Sequence, residues 1–277
     1  MTVPAPAPRS RFAALVAGDE ATLDLARAAL LVAAEEYPQL TPEPYLRRLD
    51  LLAERVQDRL SNESAPLIVL QEMSRVLFEE ESFRGNVGAY YEARNSFLND
   101  VLDRRLGIPL TLSIVYLEVG WRLGLPLTGV KFPGHFLVRY QGAALSLLID
   151  PFHKGEIRFE DQAQELLDRI YGGSVALQPE FLEAANRKDI LVRLLLNLKT
   201  IYLNASDEAR ALAAIERILL VRPGAPEEVR DRGMLLARTG RIEEAASDLR
   251  RYLDTEPEPS DAERVRLLLT QLGLEAR

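Results

Sequence analysis

The chain has 277 residues, no cysteine, two histidines and a formal net charge of −8. Its 47% hydrophobic and 27% charged residues are typical of one large or two modest globular domains. The acidic balance argues against a nucleic-acid partner, because a phosphate-binding surface needs clustered Lys and Arg. The absence of cysteine from this sequence excludes disulfides, thiolate metal ligands and thiol nucleophiles.

The N-terminal segment 1–18 starts with alternating proline and alanine, and we predict a short mobile arm there. It lacks the basic segment and uninterrupted apolar run that form a secretion signal. No apolar stretch in the sequence reaches the roughly 20 residues that a membrane-spanning helix needs. We therefore expect a cytoplasmic protein with no membrane partner.

Helical periodicity dominates residues 19–83. The pair Thr41–Pro42 can cap a helix and fill its first turn, and a further helix is expected over 65–78. Two glycines interrupt the period in the segment 83–88, which predicts a loop. Helix resumes near Asn95 and is expected to end at Gly107. These segments predict a helical subdomain.

The hydrophobic periodicity changes from helical to strand-like after the next predicted helix. That helix opens at Pro109 and is apolar on nearly every side up to Leu123, which is typical of a buried central helix. Short β-type runs then alternate with turn residues and predict an antiparallel meander. The predicted elements are strands over 127–132, 135–140 and 145–150, a possible fourth strand over 156–159, and a helix over 161–171.

The last third of the chain contains an internal repeat. Pro223 and Pro257 lie 34 residues apart, which is the period of tetratricopeptide repeats. Thr239–Gly240 can form the turn between two helices, and 261–272 can form a solvating cap helix. A generic pair of antiparallel helices could mimic part of this pattern. The positions that predict close helix packing are Gly233, Leu236, Ala245 and Leu249 in one unit, and Leu195, Tyr202, Ala211 and Ile215 in the preceding unit.

A candidate catalytic constellation lies between the helix at Pro109 and the meander. His135 opens one predicted strand and Asp150 closes the next, which is the order of the imidazole and carboxylate in a nucleophilic triad. The place of the nucleophile, in the first turn of the helix, holds no thiol. Thr111 and Ser113 offer hydroxyls there, but an alcohol is much harder to deprotonate than a thiol.

Two other interpretations of these residues stay open. His135 and Asp150 can form a purely structural hydrogen bond, which predicts the same contact as a catalytic pair. His135, Asp150 and His153 have the side-chain types of metal ligands, but the sequence has no His-x-x-x-His or similar spacing. We therefore expect neither a metal nor a cofactor.

The run 95–105 contains more polar groups than packing alone requires. Asn95 and Ser96 can cap the following helix. The alternative is that Asn95, Asn99 and Arg105 line the mouth of a ligand cleft above His135, with His153 beside them.

Three ordered motifs carry a resemblance to a known family: NSFLNDVLDRRLGIP at 95–109, FPGHFLVR at 132–139 and IDPF at 149–152. They resemble the SirB-type transglutaminase-like family, and the resemblance covers nearly the whole chain. It implies an α+β, mostly helical fold. In this fold the segment 19–186 holds a helical subdomain and a transglutaminase-like (papain-like) core with a small antiparallel sheet, and 187–277 holds tetratricopeptide-like repeats.

The resemblance also implies a function. Members are generally regarded as transglutaminase-like in fold but without the catalytic cysteine, and a regulatory role is attached to the family. We therefore expect a non-catalytic protein-interaction or regulatory protein that binds a protein or peptide through its repeats. The alternative is a hydrolase or acyl-transferase that uses the hydroxyl of Ser113 or Thr111 with His135 and Asp150.

Overall fold

The computed structural model describes residues 7–61, 65–143, 145–255 and 257–273 of the chain. The chain divides into two compact units, residues 1–194 and 195–277. In the described residues the first unit combines helices with a small sheet, and the second contains helices. No helix in these described ranges is both long enough and apolar enough to span a bilayer.

The first unit begins with a helix inside the segment expected to be a mobile arm. This helix, α1 (Pro8–Val16), has proline in its first turn, where no backbone donor is needed. Phe12 and Val16 lie one turn apart and are 0% and 2% exposed, so one face of α1 is buried. The expectation of a mobile arm is therefore corrected for residues 8–16. Residues 1–6 lie outside the described residues.

Further helices match the periodicity of residues 19–83. The carboxylate of Asp24 caps the next helix by accepting a hydrogen bond from the N–H of Arg27 at 2.9 Å. Prolines occupy the first turns of the two helices after it. These elements are α2 (Leu25–Ala33), α3 (Pro42–Gln57), α4 (Pro66–Ser74) and a π-helical segment, Arg75–Glu80.

A short parallel ladder occupies part of the predicted loop 83–88. Its strands are β1 (Arg84–Gly85) and β2 (Leu106–Gly107). Between them lies α5 (Leu98–Arg104), which ends because Arg105 adopts a left-handed conformation with φ of 59°. The helix predicted from Asn95 is therefore shorter at both ends.

The central helix is α6 (Pro109–Arg122). Residues 109–120 are buried without interruption, as its apolar composition predicts. The carboxylate of Glu118 accepts hydrogen bonds from the N–H of Ala26 at 3.0 Å and from Arg122 at 2.5 Å. Burial raises the pKa of Glu118, and its bonds to Arg122 oppose that rise.

The predicted antiparallel meander is confirmed and gains a fifth strand. Successive strands pair as neighbours, with Val138 opposite Ile149, and the last short strand adds to the other edge. The strands are β3 (Leu127–Val130), β4 (Leu137–Gln141), β5 (Ser146–Asp150), β6 (Glu156–Arg158) and β7 (Ala184–Ala185). Their spatial order is β6-β5-β4-β3-β7.

One further helix of the first unit, α7 (Ala163–Tyr171), packs on this sheet. Its buried residues Ala163, Leu166 and Leu167 share a core cluster with Phe132 and with residues of β3, β4 and β5. Gly172 ends the helix with φ of 64°, a conformation that glycine adopts without steric cost.

The second unit consists of consecutive helices with the predicted period. Helices α10 (Pro226–Arg238) and α11 (Ile242–Leu253) approach closely at Gly233, where an added Cβ would lie 2.9 Å from Cγ of Leu249. Gly240 forms the predicted turn between them with φ of 79°. The helices are α8 (Arg187–Asn204), whose residues from 195 onward belong to this unit, α9 (Glu208–Val221), α10 (Pro226–Arg238), α11 (Ile242–Leu253) and α12 (Pro259–Gln271).

Candidate functional site

Two turns at one end of the sheet position the candidate pair. His135 lies in the turn between β3 and β4, where its N–H donates to the carbonyl of Phe132 at 3.1 Å. The sequence prediction that His135 opens a strand is wrong by two residues, because the Pro133–Gly134 turn extends through it and β4 starts at Leu137. Asp150 closes β5 as predicted. Since β4 pairs with β5, the two side chains meet.

The His135–Asp150 contact is buried and direct. Nε2 of His135 lies 2.9 Å from each carboxylate oxygen of Asp150. The two residues are 7% and 1% exposed, so water does not screen the contact. This contact is the one that both the structural and the catalytic interpretations predict.

The second histidine of the chain contacts the same carboxylate. Nδ1 of His153 lies 2.7 Å from Oδ2 of Asp150. Its side chain is 43% exposed, in contrast to that of His135. Backbone hydrogen bonds also hold the carboxylate, because its Oδ1 accepts the N–H groups of Phe152 at 3.0 Å and of His153 at 3.2 Å.

The contacts in this cluster shift the pKa values of Asp150 and His153. Burial alone would raise the pKa of Asp150, but hydrogen bonds from His135 and His153 and their charge lower it far below the ordinary aspartate range. The hydrogen bond to Asp150 raises the pKa of His153, and partial burial opposes this rise. Asp150 is thus an ionised hydrogen-bond acceptor that favours positive charge on His153.

Aromatic rings and a glycine fix the loop that carries His153. The ring of Phe152 contacts both imidazoles edge to face, with centroids 5.9 Å from His135 and 5.4 Å from His153. A Cβ on Gly85 would lie 2.3 Å from the Phe152 ring, so this position has room only for glycine. Tyr90 also lies edge-on to Phe152 at 6.5 Å. Sequence patterns did not identify Phe152 or Gly85 as site residues. The position of Phe152 two residues after Asp150 was the one feature that pointed to Phe152.

The structure does not bring the candidate hydroxyls to His135. The Thr111 hydroxyl donates to the carbonyl of Asn95 at 2.7 Å and accepts the N–H of Ile108 at 3.1 Å, so it caps the start of α6. The hydroxyl of Ser113 faces the carbonyl of Phe136 at 3.4 Å. Both side chains are completely buried, and neither hydrogen-bonds to His135 in the described structure.

Asn95 organises the loop before α5. Its amide nitrogen donates to the carbonyls of Ala89 at 2.7 Å and Tyr90 at 3.1 Å, and its amide oxygen accepts from Asn86 at 2.9 Å. The side chain is completely buried. These contacts hold residues 86–95 in place. The backbone carbonyl of Asn95 also accepts the hydroxyl of Thr111 and so positions that side chain.

The other residues expected to line the ligand cleft near His135 do not share one set of contacts. Arg105 pairs with Glu81 at 2.6 Å and lines a cleft of about 380 Å³ together with Phe83. That cleft is lined by neither Asn99 nor His153. Asn99 is buried, and its Oδ1 has no hydrogen-bond partner among the described residues. The described contacts therefore do not join Asn95, Asn99, Arg105 and His153 into one ligand cleft.

Comparison with known proteins agrees with this architecture. The family model of the transglutaminase-like superfamily matches residues 43–196, and a tetratricopeptide-repeat model matches residues 198–270. No solved structure matches the chain.

Relatives extend over nearly the whole chain. A UPF0162 protein of Xylella fastidiosa strain 9a5c is 37% identical over 260 residues, which cover 93% of this chain and 92% of the relative. The UPF0162 protein PA3419 of Pseudomonas aeruginosa is 32% identical over 254 residues, covering 90% of this chain and 91% of the relative. Human F-box only protein 21 is 43% identical over 96 residues, which cover 32% of this chain and 15% of that protein.

These matches confirm the SirB-type resemblance and the predicted fold class. A transglutaminase-like domain together with tetratricopeptide repeats supports a role in protein interaction. The chain belongs to the transglutaminase-like superfamily, as a UPF0162-type member with tetratricopeptide repeats after its transglutaminase-like domain.

Proposed function

We propose that this protein is a non-catalytic interaction protein, whose repeat region binds a peptide segment of a partner. The observation that carries the non-catalytic part is the start of α6. Pro109 occupies the first position of the helix, and the hydroxyl of Thr111 is committed to the carbonyl of Asn95. In this proposal the first turn of α6 gives His135 no nucleophile from which to take a proton.

The partners of the imidazole support the same proposal. A triad needs a base that hydrogen-bonds to its nucleophile on one side and to its carboxylate on the other. Nε2 of His135 faces Asp150 at 2.9 Å, and the chain contains no cysteine. Asp150 also binds His153, so it lies between two imidazoles. This arrangement resembles a buried support more closely than a relay toward a reacting atom.

The repeat period indicates which surface binds. Positions 34 residues apart are equivalent in such arrays, and the first helices of successive repeats line the concave face. In α10, Gly233 faces α11, and the next residue, Met234, lies about 100° further around the helix and is half-buried. Its equivalents are Thr200 in α8 and Leu268 in α12. Met234 and Leu268 are apolar. We assign the peptide-binding face to the surface that carries these three residues.

A peptide selection on the full chain tests this proposal. Peptides selected from a displayed library would be measured by fluorescence anisotropy against wild type and three single variants. Met234→Ala and Leu268→Ala should each weaken binding by about tenfold, the usual effect of truncating an interface anchor.

The matched control is Leu267→Ala. Leu267 neighbours Leu268 on α12 but is equivalent to Gly233 rather than to Met234, and it is 58% exposed. Its truncation should leave the affinity within about twofold. Failure to select any peptide, or equal losses in the Leu267 and Leu268 variants, would refute the proposed face.

A further inference from the structure

Both histidines of this chain contact one buried carboxylate. The sequence has two histidines and no cysteine among 277 residues, so it offers no other imidazole and no thiolate to a metal. The two residues are 18 positions apart and lie in different turns, yet their ring nitrogens lie 2.9 Å and 2.7 Å from oxygens of Asp150. The spacing of these residues in the sequence did not predict a metal site. The fold brings their side chains together.

We propose that Nε2 of His135, Nδ1 of His153 and the carboxylate of Asp150 bind one divalent first-row transition ion, with Zn²⁺ as the expected occupant. Two imidazoles and one carboxylate form a donor set that suits zinc and neighbouring metals. The three ligand atoms lie within 4.8 Å of one another. Ligands at zinc bonding distance in a tetrahedral site are about 3.3 Å apart, so small ring movements would fit the ion.

The surroundings of the three ligands resemble the support of a metal site. Ligating carboxylates are themselves held by hydrogen bonds, and Asp150 accepts two backbone N–H groups on its Oδ1. Its Oδ2 faces both imidazoles. The ring of Phe152 lies against both imidazoles and forms an apolar wall. Such a wall limits the access of water and lowers the local dielectric, which strengthens the attraction between the ion and its carboxylate ligand.

Access to the site is one-sided. His135 and Asp150 are almost completely buried, whereas the side chain of His153 is 43% exposed. The ion would therefore enter past His153, and its fourth position would face solvent or a ligand. Bound metal would tie the turn before β4 to the turn after β5. This inference is independent of peptide binding by the repeats.

Titration of the 277-residue chain with Zn²⁺ tests the site. The chain is first treated with EDTA and dialysed, and binding is then followed by calorimetry. The predicted result is one ion per chain, with shifts of both histidine side-chain signals in ¹H–¹⁵N NMR spectra. His153→Asn removes one ligand from an exposed position and should weaken binding by at least about a hundredfold.

The control variant is Asp103→Asn, which removes an exposed carboxylate that pairs with Arg48. It should bind Zn²⁺ with wild-type affinity. Because His135→Asn removes a buried side chain and can impair folding, His153→Asn is the deciding variant. Absence of stoichiometric binding, or wild-type binding by His153→Asn, would overturn the proposal.

Discussion

Nδ1 of His153 lies 2.7 Å from Oδ2 of Asp150, so the carboxylate that would orient a catalytic imidazole is shared with a second imidazole. A triad carboxylate holds one imidazole and fixes its tautomer. Asp150 instead joins His135 in one turn to His153 in the next. His135, Asp150 and His153 thus form one three-residue cluster.

In metal-free protein, Asp150→Asn should lower the free energy of unfolding by about 3 kcal/mol. The substitution keeps the shape but removes a buried charge that two imidazoles and two backbone N–H groups contact. Breaking a buried charged network by removing one partner typically costs this much. Urea unfolding near neutral pH with EDTA present measures the change.

The same replacement at an exposed carboxylate provides the comparison. Asp103 pairs with Arg48 at 2.5 Å, and its side chain is 50% exposed. Asp103→Asn should change the free energy of unfolding by less than about 1 kcal/mol. Equal effects at positions 103 and 150 would show that Asp150 does not hold the two turns together.

Thr111→Val should destabilise the protein by about 2 kcal/mol, because the hydroxyl satisfies the N–H of Ile108 and the carbonyl of Asn95 inside the core. Thr111→Ser keeps the hydroxyl and should retain most of this stability. Urea unfolding of both variants separates the two contributions. A smaller loss in Thr111→Val than in Thr111→Ser would indicate that the methyl group contributes more than the hydrogen bonds.

Gly233→Val should destabilise the second unit by about 2 kcal/mol. A Cβ at this position would lie 2.9 Å from Cγ of Leu249 and 3.2 Å from Cβ of Asp248. Overpacking of this degree forces α10 and α11 apart. Gly224→Val is the matched control, since no atom lies within 4 Å of a Cβ built there. Thermal unfolding of both variants measures the difference, and a stable Gly233→Val would contradict the close helix packing.

Stability at high pH should depend on Tyr37. Burial and the hydrogen bond to Asp100 raise its pKa to about 12. In the unfolded chain the same hydroxyl ionises near pH 10. Between these values the unfolded state gains from losing the proton, so the stability that Tyr37 contributes is lost as the pH rises from about 10 to about 12.

Comparison with Tyr37→Phe isolates this contribution. The difference in free energy of unfolding between wild type and Tyr37→Phe should shrink across that pH window. A constant difference would show that the two states share one pKa for Tyr37. Urea unfolding at several pH values provides the measurement.

The sequence predicted most of the elements but not the roles of their polar residues. Strand periodicity located β4 and β5, and the local pairing of neighbouring strands brought His135 to Asp150. The role of Thr111 depends on a carbonyl 16 residues earlier, at Asn95, and no local pattern reveals such a contact. The approach of His153 to Asp150 depends on the turn after β5, where Lys154 has φ of 59°. A non-glycine residue in that conformation is uncommon and hard to foresee.

The proposed function requires that the transglutaminase-like domain lack acyl-transfer activity. Its most direct test is ammonia release from glutamine-containing peptides, with and without a primary amine, by the full chain and by His135→Gln. Wild type and His135→Gln should release ammonia at the same rate as peptide alone. Release by wild type above that background, and its loss in His135→Gln, would show that the domain is an active acyl-transferase.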